Sequence, residues 1–330
     1  MKNTKYTLFL STLVVLILSS CGKDNDTQPR KDTDYSHFYR LQSYEVETRS
    51  VHREVRILFQ VKDNEHNGVA GLTVDDMTVL ENQGSIDSEG DLTLAPNEIP
   101  SSLKTVLLLD ITRSVEGLVP QIKAACKTLI DNKLPEQAIA IYTFDSDTYI
   151  LQDFTTDADQ LKAAINSMPE TDLVNSTNLY GAVMDVSDTW TDVFTLQEIE
   201  DGSLIVFTDG RHNATPNITL SDAIGSLGIK KRYVAALNSA DLDESSLKEL
   251  AGSSDRYFKA DDVSSLEAKF IEIQNEIQRL SQSIYYLYYQ SPITDPTPHN
   301  NELLIEIDGN TNRGEDNHIL ESFNSEGFGA

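Results

Sequence analysis

Residues 105–110 and 203–209, TVLLLD and SLIVFTD, leave this chain few architectures to choose from. Each is an unbroken apolar run closed by an aspartate. A strand buried on both faces needs continuous hydrophobicity, and such strands belong to parallel sheets covered by helices. AIAIYTF and RYVAAL read as further strands, DRYFKA as a short one and TYILQDF as an edge strand. Between them, residues 119–130, 157–167, 179–190, 221–227 and 244–251 have helical texture. The alternation predicts an α/β fold with a doubly wound, mostly parallel sheet. In the last helix Val263, Leu266, Phe270, Ile273, Ile277, Leu280 and Ile284 recur at steps of three and four. That stripe fits packing on the sheet, whereas a coiled coil needs a partner helix and a longer repeat.

The segments on either side have a different texture. In VRILFQV, Val55, Ile57, Phe59 and Val61 alternate, DNEHNG then reads as a turn, and residues 77–80 as another strand. After Ser283 come an aromatic-rich stretch at 285–290, a loop over 291–301, the alternating Leu303, Ile305 and Ile307, and a last strand near 318–323. Neither flank is long enough to bury a good core alone. They are expected to pair into one discontinuous, sandwich-like all-β domain with the α/β domain inserted between them. A length of 330 residues accommodates about two domains. The expected boundaries are a signal peptide over 1–20, a tether over 21–37, β segments over 38–101 and 283–330, and the α/β domain over 102–282.

The N-terminus reads as an address. Lys2 and Lys5 precede an apolar run that ends at Ser20, with the n-region and h-region of a secretory signal and too short to span a membrane comfortably. Leu18-Ser19-Ser20-Cys21 resembles the lipobox of bacterial lipoproteins. That resemblance implies acylation of Cys21 and stable attachment to a membrane. Residues 22–36 are nearly devoid of apolar side chains and suit a flexible tether. Within them, Lys23-Asp24-Asn25-Asp26 resembles the acidic surface-export signal of some Gram-negative lipoproteins. The expected location is the outer membrane or cell surface, with the periplasmic face as the alternative. Fifty-three acidic against 26 basic residues give a formal charge of -27, which repels phosphate backbones and speaks against nucleic acid as a partner. The second of two cysteines, Cys126, sits in an apolar helical segment and reads as a buried thiol.

Three short motifs carry chemistry. Asp110-Ile111-Thr112-Arg113-Ser114 follows the first apolar strand, Asn175-Ser176-Thr177-Asn178-Leu179-Tyr180 opens a helix, and Thr208-Asp209-Gly210 closes the second apolar strand. Loops after the C-termini of parallel strands share one sheet edge, so Asp110, Thr112, Ser114, Thr177 and Asp209 are expected to converge. All five offer hard oxygen and none offers sulfur or imidazole. The set points to Mg²⁺, with Mn²⁺ or Ca²⁺ as alternatives, and away from zinc or copper. Two aspartates balance a divalent ion, which leaves it free to accept a carboxylate from a partner.

Motifs of this spacing and order resemble the metal-ion-dependent adhesion site (MIDAS) of von Willebrand factor type A domains, over roughly residues 102–282. The flanks, including GLTVDDMTVLENQG and YYLYYQSP, resemble β-sandwich segments that accompany such domains in some bacterial proteins. The resemblance implies that Thr112, Ser114 and Thr177 lie in or near direct contact with the metal, and that Asp110 and Asp209 bind it directly or through water. Thr112 departs from the commoner serine, and Arg113 stands between two ligand positions, where it either weakens the metal or holds an acidic partner. The implied function is metal-dependent protein binding, as an adhesion or scaffold module whose cation bridges to an exposed Asp or Glu of the partner. No nucleophile elbow, P-loop, His-Glu-x-x-His run or glycine-rich nucleotide fingerprint occurs, so an enzyme is not expected. His212, near the third motif, is expected to have a loop role. The alternatives are a structural envelope component without metal-dependent binding and, less favoured, an enzyme.

Overall fold

The computed structural model describes residues 37–329 except 87–90, 96–98, 211, 215–217 and 241. The expected signal peptide, Cys21 and the tether as far as residue 36 lie outside the described residues. Strands β1 (Arg40–Arg49), β2 (Glu54–Lys62), β3 (Met77–Glu81), β4 (Gly84–Ser85) and β5 (Thr93–Leu94) come first. The α/β part then runs β6 (Ser101–Asp110), α1 (Val119–Asp131), β7 (Gln137–Phe144), β8 (Thr148–Thr155), α2 (Ala158–Ser167), α3 (Leu179–Ser187), β9 (Val193–Phe194) and β10 (Ile199–Thr208). It continues through α4 (Leu220–Leu227), β11 (Lys231–Leu237), α5 (Glu244–Ala251), β12 (Tyr257–Ala260) and α6 (Val263–Ser281). Strands β13 (Ile284–Gln290), β14 (Asn300–Ile307) and β15 (His318–Asn324) end the chain.

The central sheet has the order β12-β11-β10-β6-β7-β8, with the short β9 beside β10. It is parallel from β12 to β7, and β8 closes one edge antiparallel. Leu107 and Leu109 of β6 pack with Ile205 and Phe207 of β10 under α1, α2 and α6. Val106 and Leu108 pack with Leu204 and Val206 under α3, α4 and α5. Both faces are covered, which is why these strands are apolar at every position. The fold is therefore the expected α/β sheet, mixed and mostly parallel.

Flanking strands from the two ends of the chain share sheets. One sheet has the order β1-β2-β13-β5 and another β15-β14-β3-β4. Their inner faces meet in a single core in which Val55, Ile57 and Phe59 touch side chains from Tyr285, Leu287, Leu303 and Ile305. The opposite face of β2 and β13 is buried as well. There Leu58, Ile284 and Tyr286 pack with Ile99, Leu196 and Ile199 at the base of the α/β part. Two β-layers and the α/β unit thus stack in succession, and β2 and β13 form the middle layer.

Local differences from the sequence reading have local causes. Helix α3 stops at Ser187 rather than continuing to 190, because Thr189 Oγ1 turns back to the Val186 carbonyl at 2.8 Å and Trp190 leaves the helix axis to pack on Gly202. A Cβ at 202 would stand 2.0 Å from that indole. Ile284 belongs to β13 and not to the stripe of α6. The helix ends where Gln60 Nε2 and Ser283 Oγ both donate to the Leu280 carbonyl. The stripe itself faces α1 and the sheet. Strand β1 has no counterpart in the expectation. It is an edge strand with only Leu41 fully buried and a bulge between Ser43 and Glu45, so its side chains carry little strand pattern. Among the described residues no helix is long and apolar enough to cross a membrane.

Candidate functional site

β6 and β10 lie side by side with Leu109 opposite Phe207, so Asp110 and Thr208 emerge together at the C-terminal edge of the sheet. Asp110 is only 1% exposed. Thr208 Oγ1 donates to its Oδ2 at 2.6 Å, and Thr112 donates to its Oδ1 through both the backbone N–H (3.0 Å) and Oγ1 (2.7 Å). Thr112 Oγ1 lies 3.1 Å from Ser114 Oγ, and Ser114 Oγ donates to Asp209 Oδ1 at 2.8 Å. Two hydrogen-bonded groups therefore face each other, Thr208–Asp110–Thr112 and Ser114–Asp209, with the Thr112 and Ser114 hydroxyl oxygens 3.1 Å apart where the end of β10 meets the loop after β6. Ser114 is the exposed member, while Thr112 and Asp209 are buried.

Thr177 reaches the same edge by its backbone. Its N–H donates to Asn213 Oδ1 at 2.7 Å, and the Asn213 N–H donates to the Thr177 carbonyl at 3.0 Å. On its other side the Arg113 N–H donates to the Val174 carbonyl at 2.8 Å, and the Asn178 N–H to that of Asp145 at 2.7 Å. The loop before α3 is thus stitched to the loops after β6, β7 and β10. Asn178 also caps α3 by accepting from the Gly181 N–H at 3.2 Å. His212 lies in the loop after β10 and is half-buried there: its ring stacks on Tyr180 with centroids 4.3 Å apart, its Nδ1 accepts from the Tyr180 N–H at 3.5 Å, and burial lowers its pKa. Cys126 is fully buried in α1, and burial pushes its thiol far above the ordinary range.

The roles of three supporting residues escaped the sequence reading. Thr208 was visible in the Thr-Asp-Gly motif, and the strand alignment that sets it against Asp110 was the missing signal. Asn213 carries no motif, and its role appears only once the loops meet. Ser239, beyond β11, donates through Oγ to the Asp209 carbonyl and anchors that residue from the next strand.

Electrostatics add a constraint. Burial, against the opposing hydrogen bonds of Thr208 and Thr112 and aided by the nearby Asp209 carboxylate, pushes the Asp110 carboxyl up to about 6. A cation at this point would offset that burial. The donors are two carboxylates and three hydroxyls, a hard-oxygen set that fits a divalent ion such as Mg²⁺. No cluster of three or more His, Cys, Asp or Glu stands among the described residues as a competing site.

A family model of the von Willebrand factor type A domain matches residues 105–274. The chain belongs to the von Willebrand factor type A domain family. Solved structures with a similar fold include a von Willebrand factor type A protein from Catenulispora acidiphila, at 12% identity and TM-score 0.48 over 88% of this chain and 74% of that one. Another is the vWF domain of the type V pili tip protein Mfa5 from Porphyromonas gingivalis, at 14% identity and TM-score 0.44 over 55% of this chain and 96% of that one. A third is proximal thread matrix protein 1 from the mussel byssus with a zinc-occupied MIDAS motif, at 15% identity and TM-score 0.45. That match covers 59% of this chain and 49% of the mussel protein, so the chain spans about half its length. No curated protein matches the sequence. Within the family frame, the matched stretch contains all five candidate residues.

Proposed function

We propose that this von Willebrand factor type A domain binds a protein partner through a divalent cation, held by Asp110, Thr112, Ser114, Thr177 and Asp209 and completed by an Asp or Glu of the partner. The observation that carries the reading is the juxtaposition of two carboxylate–hydroxyl pairs on one sheet edge, Asp110 with Thr112 and Asp209 with Ser114, their hydroxyl oxygens 3.1 Å apart. When bound, the ion supplies Lewis acidity toward a carboxylate oxygen. The chain's own residues do the rest. Thr208 and Ser239 fix the two aspartates, Asn213 fixes Thr177, and exposed Ser114 marks the side from which a ligand arrives. Mg²⁺ suits this donor set best, with Mn²⁺ and Ca²⁺ as alternatives. We read the chain as a binding module and not an enzyme, since the candidate donors are carboxylates and hydroxyls of neutral Thr and Ser, and the nearest histidine, His212, is engaged in holding the loop against Tyr180.

Calorimetric titration of the full chain with Mg²⁺ and Mn²⁺ tests the metal. Wild type should bind and Asp110→Ala should not, with a cooperative urea transition in chelator showing that the variant is still folded. Equal metal binding by both proteins would remove the site. Zn²⁺ belongs in the same titration, because the donor set lacks sulfur and imidazole, while zinc ordinarily binds a given site more tightly than Mn²⁺. For location, the signal-like run and Leu18-Ser19-Ser20-Cys21 support a lipid anchor at Cys21, in the outer membrane or at the cell surface. Cys21→Ala should move the protein out of the detergent phase, and unchanged partitioning would sink the anchor.

A further inference from the structure

Arg113 stands between Thr112 and Ser114, whose hydroxyl oxygens lie 3.1 Å apart. Its backbone N–H is tied to the Val174 carbonyl and its Nε donates to the Leu173 carbonyl at 3.3 Å. The loop that receives it is itself pinned: Asp172 adopts a left-handed backbone (φ 62) and its N–H donates to Glu116 Oε1 at 3.1 Å. The side chain is therefore exposed yet placed, lying against a loop whose position is fixed. Five N–H donors make up a guanidinium, and among the described residues only Nε is engaged, with no ion pair formed. This is notable on an edge rich in carboxylates, where Glu116, Asp145, Asp147 and Asp172 occupy the same loops. Among the described residues of those loops Arg113 is the single lysine or arginine. Beside it Val174 is 41% exposed, an apolar shoulder next to a planar cation.

Charge bookkeeping then defines a ligand. A divalent ion neutralises Asp110 and Asp209, and one incoming carboxylate makes the site net negative. Among the described residues of the loops after β6 and β7 and before α3, a second carboxylate finds acidic neighbours except at Arg113, whose fork donates to it in bidentate fashion. We propose that the metal edge recognises a ligand with two carboxylates, one for the cation and one for Arg113, so that Arg113 is the specificity-determining residue of the site. This rests on the metal-bridge reading above. The same residue must act with opposite sign on the two ligands: its charge repels the cation and attracts the dicarboxylate.

The full chain loaded with Mn²⁺ tests this, with water-proton relaxation reporting displacement of metal-bound water by acetate and by the dicarboxylates from succinate to pimelate, so that reach is sampled. In wild type the best dicarboxylate should displace water at roughly tenfold lower concentration than acetate, beyond the factor of about two expected from having two ends. In Arg113→Gln that advantage should shrink to about twofold, while Mn²⁺ itself binds about two- to fivefold more tightly. Arg113→Lys should keep part of the preference. A preference that survives in Arg113→Gln, or no preference in wild type at any chain length, overturns the proposal while leaving the metal bridge standing. A wild-type chain that takes up no Mn²⁺ overturns both, and the titration alone identifies that case.

Discussion

At the scale of single residues, the site depends on a group that offers the metal nothing. Thr208 Oγ1 donates to the otherwise deeply buried Asp110 and accepts from the Gly210 N–H at 3.2 Å, so one hydroxyl serves the carboxylate and the turn that follows. Replacing it by valine keeps the branched shape but leaves Asp110 Oδ2 without that donor. A buried acceptor stripped of its partner costs about 1–3 kcal/mol. Urea denaturation in chelator should therefore show Thr208→Val destabilised by that amount, and Thr208→Ser close to wild type. A Thr208→Val protein as stable as wild type would mean that the bond contributes nothing net. Asp110, Thr112, Ser114 and Asp209 could be named from sequence because each lies in a short motif next to an apolar strand. The role of Thr208, itself part of such a motif, and those of Asn213 and Ser239 could not be read, because they are a property of strand alignment and loop contact, which no single segment encodes.

At the scale of elements, legibility followed burial. Strands β6 and β10 were plain because both faces are buried, and apolar residues at every position leave a strong signal. Helix α5 (Glu244–Ala251) was equally plain: Asp243 caps its start by accepting from the Ser246 N–H and Gly252 ends it with φ 79, the residue types helix ends demand. Strand β1 was invisible for the opposite reason. It is held by backbone pairing to β2, and backbone hydrogen bonds leave no mark on side-chain identity. Strands β4, β5 and β9 have two residues each, too few for any period to show. Helix α6 gave its face correctly and its end incorrectly. The apolar step pattern continues into Ile284, and the bonds to the Leu280 carbonyl from Ser283 and from Gln60, 220 positions away, mark where the helix stops.

At the scale of the whole molecule, the open question is what can fold without what. The β-core draws on both flanks about equally, with Leu41, Val55, Ile57, Phe59, Val61 and Val79 on one side and Tyr285, Leu287, Tyr289, Leu303, Ile305 and Phe323 on the other. Its buried Glu81 makes the dependence sharper. Both oxygens accept hydrogen bonds from the far flank, from Tyr289 at 2.8 Å and Ser291 at 2.7 Å, and burial raises the carboxyl's pKa. Residues 38–101 alone would expose half a core and leave that carboxyl without these donors, so they should show no cooperative urea transition. Residues 102–282, with a two-sided helical cover of their own, should unfold cooperatively as an isolated piece. Ser101 and Gln282 line the same cavity of about 390 Å³, so the points where the chain leaves and rejoins the β-layers are neighbours. Joining 38–101 to 283–330 through a short glycine-serine linker should consequently restore a cooperative transition. It should lie below that of the full chain, because excision uncovers Leu58, Ile284 and Tyr286, which the base of the α/β unit now shields. Cooperative melting of 38–101 by itself would show that the first flank is a domain in its own right and that the two ends of the chain meet as separate folds.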